Sequence, residues 1–472
     1  MSIQKESKGY RLSIKHLIAI LCKIAGKRPV HEILHKYHEI YGETYQIRIG
    51  PKKIIVNLNP KLTEAIVNNP KFGKSDQYDM MEQWLGENLV TSNGEAWHKM
   101  RKLITPAFHF QILERFIPIF EEKVEIMTEK ITKQGSNTID VFEMLQNLTF
   151  DIISDTSMGV NLNAQMDSTS PFILANQKMV EIVTQRAFNG FLAVDWIFRL
   201  TPYYKVHKEC VELINKFVDD VIQERRKTFH YTKHTNNKDD DLPKHRPALL
   251  DILLRAQIEG NSLFNERIRS EVQAFMFAGN ETTANSLSFT LYLIAKYAEV
   301  QEKLFNEIKL NGLHEPTISL KIRDLNALSY MDNVIKESLR LFPALFLAVK
   351  WCEEDIKIGD VFIPKYTSFG TSIFSGHRSA KYFTKPNKFN PDRFDAELTA
   401  EDRNPYIYQP FSSGLRNCIG QRFAMLEMKT VLVKLLSTFE IKLADNDFEV
   451  DVICTFSLKP SNGIPLIFKK RF

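Results

Sequence analysis

One ten-residue segment near the C-terminus, from Phe411 to Gly420, constrains this chain more than any other part of it. It reads Phe-Ser-Ser-Gly-Leu-Arg-Asn-Cys-Ile-Gly, and a helical pattern follows at once. Gly414 and Gly420 allow the backbone to pass close to a flat ligand, and Arg416 adds positive charge beside it. A rigid loop of this kind presents Cys418 as a thiolate, which suits the axial position of a haem iron. The alternative is a cysteine that serves only as a small buried hydrophobe, and the fixed spacing disfavours it.

Four other motifs precede this loop in the chain. They are Trp97 to Arg101, Ala278 to Thr283, Glu337 to Arg340 and Pro391 to Phe394. In this order, and together with the cysteine loop, they resemble the landmarks of the cytochrome P450 superfamily, from Tyr37 to the C-terminus. Three shorter segments resemble the animal family 4 enzymes, especially those of insects: Lys74-Ser75-Asp76, Trp84-Leu85-Gly86 and Thr105 to Phe110.

The resemblance implies a mainly α fold with minor β structure, in which a long central helix crosses the haem. It also implies heme b (iron protoporphyrin IX) as the cofactor, held without covalent attachment apart from the bond between the Cys418 thiolate and the iron. Phe411, Gly414 and Gly420 then shape the loop around that sulfur. The residue pattern agrees, because helical periodicity dominates from Gly94 to Phe439.

The function that the resemblance implies is a monooxygenase that inserts one atom of O₂ into an apolar substrate. Fatty acids, terpenoid hormones and xenobiotics such as insecticides are the candidate substrates. We expect NADPH–cytochrome P450 reductase to supply electrons, because the sequence contains no flavin module, with cytochrome b5 as an optional partner. Two alternatives stay open: a haem-thiolate isomerase or dehydratase, and a haem- or lipid-binding protein without turnover.

The motif at Ala278 to Thr282 lies in the middle of a helix predicted from Ser262 to Tyr297. Glu281 and Thr282 correspond to the acid–alcohol pair of the family and are the predicted catalytic residues. The alternative is that Glu281 is a solvated carboxylate and that Thr282 hydrogen-bonds to its own helix. Ala278 occupies the position where many mammalian family 4 enzymes carry a glutamate that can esterify the haem, so no ester is expected.

The haem propionates need cationic partners when they are buried. Trp97 and Arg101 lie four residues apart, on one helix face, and can both donate. Arg416 is a further donor. Lys350 occupies a position where relatives often carry Arg, so a lysine amine, which acts as a point charge, replaces a guanidinium that could make a bidentate contact.

Two more groups of residues have predicted structural or binding roles. By resemblance, Glu337, Arg340 and Arg393 form a buried ionic triad that supports the fold. The expected substrate contacts are Gln77 to Val90, Phe188 to Trp196, Phe275 with Ala278, Ala344 to Ala348, and Thr455 to Ser457, with Leu345, Phe346 and Leu347 making the pocket apolar.

The bulk composition narrows the class of protein and its partners. With 62 basic and 57 acidic residues among 472, the net charge is +5, which gives no indication of a nucleic-acid partner. No linker or repeat divides the chain, so we predict one catalytic domain over residues 31–472 after a basic N-terminal segment, residues 1–30. The five cysteines are scattered, which suggests a reducing compartment.

The N-terminal segment predicts a location at a membrane surface. Its longest apolar run, Leu17 to Cys22, is too short to span a bilayer and is surrounded by basic residues between Lys5 and Arg28. We expect peripheral attachment to the cytosolic face of the endoplasmic reticulum (the microsomal membrane). The alternatives are an ordinary surface helix and a start site that lost an upstream anchor.

A second short motif, His31-Glu32-Ile33-Leu34-His35, matches the His-Glu-x-x-His pattern of zinc proteases. Matches with so few fixed positions are common by chance, so a zinc site is disfavoured.

Overall fold

The computed structural model describes residues 29–49, 52–75, 78–235, 249–258, 263–358, 361–395 and 404–471. In chain order its helices are α1 Val30–Tyr41, α2 Pro60–Val67, α3 Asp79–Leu85, α4 Gly94–Ile104, α5 Phe110–Glu114, α6 Ile117–Gln134, α7 Val141–Met158, α8 Pro171–Phe188, α9 Asp195–Arg199, α10 Pro202–Thr235, α11 Leu249–Ile258, α12 Asn265–Lys296, α13 Ala298–Leu310, α14 Ile322–Ala327, α15 Ser329–Leu341, α16 Ile373–His377 and α17 Gln421–Thr438. Its strands are β1 Thr44–Ile49, β2 Lys52–Asn57, β3 Phe72–Gly73, β4 Ile139–Asp140, β5 Leu347–Cys352, β6 Ile356–Ile358, β7 Val361–Ile363, β8 Ser368–Ser372, β9 Phe439–Leu443, β10 Val452–Cys454, β11 Leu458–Pro460 and β12 Pro465–Lys470.

The long helix α12 organises the helical part of the fold. Its 32 residues give it a length of about 48 Å at about 1.5 Å per residue. Its first half packs Ile268, Val272 and Met276 into a core with α3, α4, α8, α10 and α11. Its second half packs Leu287 and Leu291 into another core, with α6, α7, α15 and α17. The motif residues 278–282 therefore lie between the two cores.

The strands form four small sheets at the edges of the helical part. The largest has the order β1-β2-β8-β5-β3, in which β2 and β8 are parallel and the other neighbours are antiparallel. A second sheet has the order β4-β12-β9, and the hairpins β6–β7 and β10–β11 stand apart from it. The prediction of a mainly α protein with minor β structure is confirmed.

One predicted boundary was wrong. The polar and aperiodic sequence from Thr228 to Pro247 predicts a surface loop, but α10 continues to Thr235. The sequence contains no Gly or Pro between Pro202 and Pro243, so nothing in the backbone chemistry ends the helix at Thr228. The rest of the predicted loop lies outside the described residues, as does the N-terminal segment before Pro29.

The ionic triad predicted from the sequence is present and buried. Arg340 donates to both carboxylate oxygens of Glu337, at 2.7 and 2.9 Å, and Arg393 donates to one of them at 2.9 Å. The remaining Arg340 protons go to the backbone carbonyls of His377, Pro386 and Lys388. Since every buried charge has partners, the triad joins α15 to the segment before the cysteine loop, and this joint stabilises the fold.

The two histidines of the zinc-like motif lie on α1, away from the cysteine loop. The Nδ1 atom of His31 lies 2.9 Å from the sulfur of Cys454, and its ring packs edge-on against Phe374. Among the described residues, no group of three or more His, Cys, Asp or Glu side chains is arranged to hold a metal.

Candidate active site

The middle of α12, the cysteine loop and several other elements enclose one large cavity. Its empty volume is about 2000 Å³, part of which is open to solvent. The walls are mostly apolar, and they include Phe108, Phe275, Phe277 and Phe456. A cavity of this character suits an apolar ligand, with a few polar groups to fix its orientation.

Cys418 lines this cavity, and its side chain has accessible surface there. The loop is held by a hydrogen bond from the Cys418 amide to the carbonyl of Phe411, at 2.9 Å. Burial raises the pKa of the Cys418 thiol, whereas the Gly420 amide and the nearby Arg101 oppose that rise. A cation and a backbone donor beside the sulfur are the features that favour a thiolate.

A group of cationic side chains lines the cavity beside the cysteine loop. Arg101 donates to the backbone and side-chain oxygens of Asn417, at 3.0 and 2.8 Å, and so braces the residue before Cys418. Arg416 lies with its guanidinium carbon 4.0 Å from the centre of the Trp97 ring. Lys350 lies nearby on β5, and its amine is 3.5 Å from the carbonyl of Val67. All four predicted partners of the propionates therefore line one cavity.

The charges of these side chains fit an anionic group. Within the described part of the chain, Arg101, Lys350 and Arg416 form no ion pair with a carboxylate. Burial lowers the pKa of Lys350 to about 7, and the like charges of Lys74 and Arg416 add to the effect. Burial also lowers the pKa of Arg416 to about 10. Buried cations without counterions are costly, so these residues fit a haem whose carboxylates would neutralise them.

Thr282 and Ala278 face the cavity, but Glu281 does not line it. The Thr282 hydroxyl donates to the carbonyl of Ala278 at 2.7 Å. This is the hydrogen bond to its own helix that the sequence leaves open as an alternative. Glu281 is buried, and its Oε1 atom accepts hydrogen bonds from Thr455 and Ser457. Consecutive residues of a helix point about 100° apart, so the two side chains of the predicted pair diverge.

The glycines of the motifs differ in the protein atoms that lie beside them. A Cβ atom at Gly414, whose φ is +70°, would lie 2.4 Å from the carbonyl oxygen of Val67, so the close neighbour is α2. A Cβ at Gly279 would lie 2.6 Å from Ile153, so that glycine allows α7 and α12 to approach. At Gly420 a Cβ would meet the Cys418 sulfur at 3.9 Å, an ordinary contact. Phe411 and Gly420 line the cavity, and Gly414 does not.

The wall of the cavity differs in part from the expected substrate contacts. Leu89, Val90, Leu345 and Phe456 line it as predicted. Phe346 and Leu347 instead pack in a separate core with α1 and do not line the cavity.

Trp196 was also expected in the pocket, but its side chain is 67% exposed and does not line the cavity. Sequence reasoning missed the contributions of α7 and α11, namely Ile153, Thr156, Ser157, Leu249 and Ile252. Their apolar spacing marks a buried helix face and gives no indication of which cavity that face lines.

Comparison with known proteins gives a consistent result. A family profile described as Cytochrome P450 matches residues 14–467. Cytochrome P450 4c21 of Blattella germanica is 38% identical over 453 residues, which cover 94% of this chain and 88% of the relative. Cytochrome P450 4d2 of Drosophila melanogaster is 37% identical over 453 residues, which cover 94% and 89%. The crystal structure of the cytochrome P450DA heme domain shares the fold, with a TM-score of 0.81 at 23% identity, over 94% of this chain and 93% of that one.

Proposed function

The chain belongs to the cytochrome P450 family, and from this premise we propose that it is a haem-thiolate monooxygenase acting on an apolar substrate. The single observation that carries the proposal is the convergence of Cys418, Arg101, Lys350 and Arg416 on the cavity that the middle of α12 also lines. The names of the similar insect enzymes support the class of enzyme and leave the substrate open. Fatty acids, terpenoid hormones and xenobiotics remain the candidate substrates.

Each residue of the site has a proposed task. Cys418 holds the haem iron through its sulfur, and Trp97, Arg101, Lys350 and Arg416 hold the propionates. When bound, the haem supplies oxygen activation. Since Ala278 has no carboxylate, heme b is retained without an ester bond to the protein at this position.

Thr282 has the proposed task of moving protons at the cavity wall. Its single hydroxyl proton goes to the Ala278 carbonyl at 2.7 Å, so its oxygen keeps lone pairs that can accept from water. When Oγ1 takes up a proton from such a water, the hydroxyl gives up its own proton, so one O–H bond forms as another breaks and a proton is passed on along the cavity wall. The apolar wall around it disfavours water at this position, so proton supply there depends on such positioned groups.

The test of the proposal is the spectrum of the reduced, CO-bound protein. We expect the unmodified chain to give the red-shifted Soret band of a thiolate ligand and Cys418→Ser to lose it. Cys352→Ser is the matched control, because Cys352 is buried on β5 and does not line the cavity. A thiolate band that survives in Cys418→Ser would contradict the ligand assignment.

Turnover distinguishes the monooxygenase from the other candidates. NADPH–cytochrome P450 reductase, with or without cytochrome b5, is the proposed electron source, and substrate-dependent NADPH consumption with stoichiometric product is the expected result. An isomerase or dehydratase would convert peroxide substrates without NADPH. A binding protein would convert neither peroxide substrates nor apolar substrates supplied with NADPH. The retained Thr282 at the cavity favours the monooxygenase.

We also propose peripheral attachment to the cytosolic face of the endoplasmic reticulum, with residues 31–472 as one catalytic domain. Two features support a membrane surface: the basic residues between Lys5 and Arg28, and an exposed apolar group formed by Phe191, Trp196 and Leu200. Among the helices that the structure describes, none is both long and apolar enough to cross a bilayer.

A further inference from the structure

One stripe along α12 faces the turn between β10 and β11. Phe277, Glu281 and Asn285 follow one another at four-residue intervals, so they share a helix face. Each of them contacts the turn Thr455–Ser457. The stripe and the turn come from distant parts of the chain, since Glu281 and Thr455 are 174 positions apart in the sequence.

The polar contacts of this stripe form a small buried network. Glu281 Oε1 accepts from the Thr455 hydroxyl at 3.0 Å and from the Ser457 hydroxyl at 2.9 Å. Asn285 donates from Nδ2 to the same Ser457 hydroxyl, at 2.7 Å. Glu281 is only 7% exposed, and Asn285 and Ser457 are fully buried. Because buried polar groups are costly when unpaired, these bonds hold the turn in one position relative to α12.

The residue in the middle of the turn belongs to the cavity wall. The Phe456 ring packs against Phe277, with ring centres 4.9 Å apart, and both side chains line the cavity. Phe277 also packs against Trp84 of α3, at 5.1 Å. The hairpin is further tied to the wall segment at Ala344, whose carbonyl accepts from the amide of Leu458 at 2.9 Å. The position of the turn therefore sets how far Phe456 extends into the cavity.

We propose that Glu281 and Asn285 are positioning residues that hold Phe456 in the cavity wall and thereby limit the size of the molecules that bind. This inference rests on the proposed function, because it concerns the selectivity of the same site. Burial raises the pKa of Glu281, and the hydrogen bond from Ser457 is the largest opposing effect. The side-chain carbonyl oxygen of glutamine accepts hydrogen bonds as a carboxyl oxygen does, so Glu281→Gln should preserve the network, whereas Glu281→Ala removes the acceptor.

The first experiment measures ligand size selectivity in the haem-loaded full chain. Imidazole and the bulky clotrimazole serve as probes, and the shift of the Soret band reports the binding of each one. In Glu281→Ala, and in the double variant Thr455→Val/Ser457→Ala, we expect the preference for clotrimazole over imidazole to rise by about tenfold. Glu281→Gln should keep the native ratio. Ser437→Ala is the matched control, a buried serine that donates to the Leu313 carbonyl and does not line the cavity.

The double variant separates this role from proton delivery, because it leaves the Glu281 carboxyl group in place. If its selectivity stays native, or if Glu281→Gln behaves like Glu281→Ala, the proposal is overturned. A Glu281→Ala protein that releases more peroxide from NADPH with unchanged probe selectivity would also overturn it.

The second experiment does not depend on the haem. Amide hydrogen exchange in the full chain should be faster for residues 452–460 of Glu281→Ala and of the double variant than for the control, since the turn loses its anchors. Unchanged exchange in this turn would contradict the proposed anchoring of the turn by Glu281 and Asn285. This conclusion would hold even if the protein gave no thiolate spectrum. Absence of the thiolate band from the unmodified chain would instead contradict the proposed function. The exchange result would still test the anchoring of the turn.

Discussion

At the scale of single residues, burial in the cavity wall lowers the pKa of the Lys350 amine. Burial, with Lys74 and Arg416 close by, lowers its pKa from 10.5 to about 7. An anion that binds beside this amine restores the pKa toward its usual value, so binding takes up a proton between those two pH values. The haem propionates are such anions.

We therefore expect haem retention to be strongest at and below pH 7 and to weaken as the pH rises from 7 toward 10.5, the interval between the two pKa values of Lys350. Haem transfer to excess apomyoglobin, measured as a function of pH, is the test. Lys350→Arg keeps its charge throughout this range and should lose the pH dependence. An arginine variant with the native pH profile would show that Lys350 is not the linked group.

Thr282 carries a second prediction at this scale. Thr282→Ala should keep haem and the thiolate band but slow product formation by about 10²-fold, the lower end of what positioned proton transfer contributes, with electrons released as peroxide. Peroxide per NADPH oxidised is the measurement. Thr290→Val is the control, because Thr290 lies on the same helix, bonds to Ser286 and Ser338, and does not line the cavity. An unchanged peroxide ratio in Thr282→Ala would argue against the proposed task.

At the scale of elements, the first part of α12 holds the segment that connects α3 to α4. Glu271 Oε2 accepts from the amide of Leu89 at 3.0 Å, and Arg267 donates to Glu271 at 3.0 Å. Arg267 also pairs with Glu87 at 2.7 Å and donates to Ser92 at 3.0 Å. Since Leu89 lines the cavity, this contact between elements fixes another part of its wall.

Glu271→Ala should free that segment. The buried Leu89 amide loses its acceptor, which costs about 1–3 kcal/mol, so amide exchange across residues 86–92 should become faster while the rest of α12 stays protected. Arg269→Ala is the control, because Arg269 lies two residues away on the same helix and pairs with Asp219 of α10. Equal exchange in the two variants would mean that Glu271 does not anchor the segment.

At the scale of the whole molecule, the exposed apolar group lies on the connection between α8 and α10. Phe191 is 76% exposed, Trp196 67% and Leu200 78%. Apolar residues grouped on a surface mark an interaction site more often than scattered ones do. Aromatic side chains suit the interface between lipid headgroups and water.

We expect alkaline carbonate to release the protein from microsomes. We also expect the triple variant Phe191→Ser/Trp196→Ser/Leu200→Ser to bind vesicles containing phosphatidylserine more weakly, because less apolar area enters the interface. Leu310→Ser is the control, a leucine that is 88% exposed at the end of α13. Retention of the unmodified chain in the carbonate pellet would contradict peripheral attachment.

Much of the site could be predicted from the sequence because its elements are local. The cysteine loop carries its own spacing, and Trp97 and Arg101 share a face of α4 because they are four residues apart. The order of the motifs gave the mainly α fold and the long helix, with its ends within three residues of those observed, Asn265 and Lys296. Local spacing was sufficient wherever the function of a residue depends on its own helix or loop.

Contacts between distant segments could not be predicted in this way, and only the tertiary structure decided them. It directs Glu281 to the Thr455–Ser457 turn, places Gly414 against Val67, and brings Ile153 and Leu249 to the cavity. Sequence by itself determined which residues could carry the chemistry and that a long helix passes the cysteine loop. The partner of each buried polar group depended on which elements pack together, because periodicity reports that a face is buried and contains no information about what lies against it.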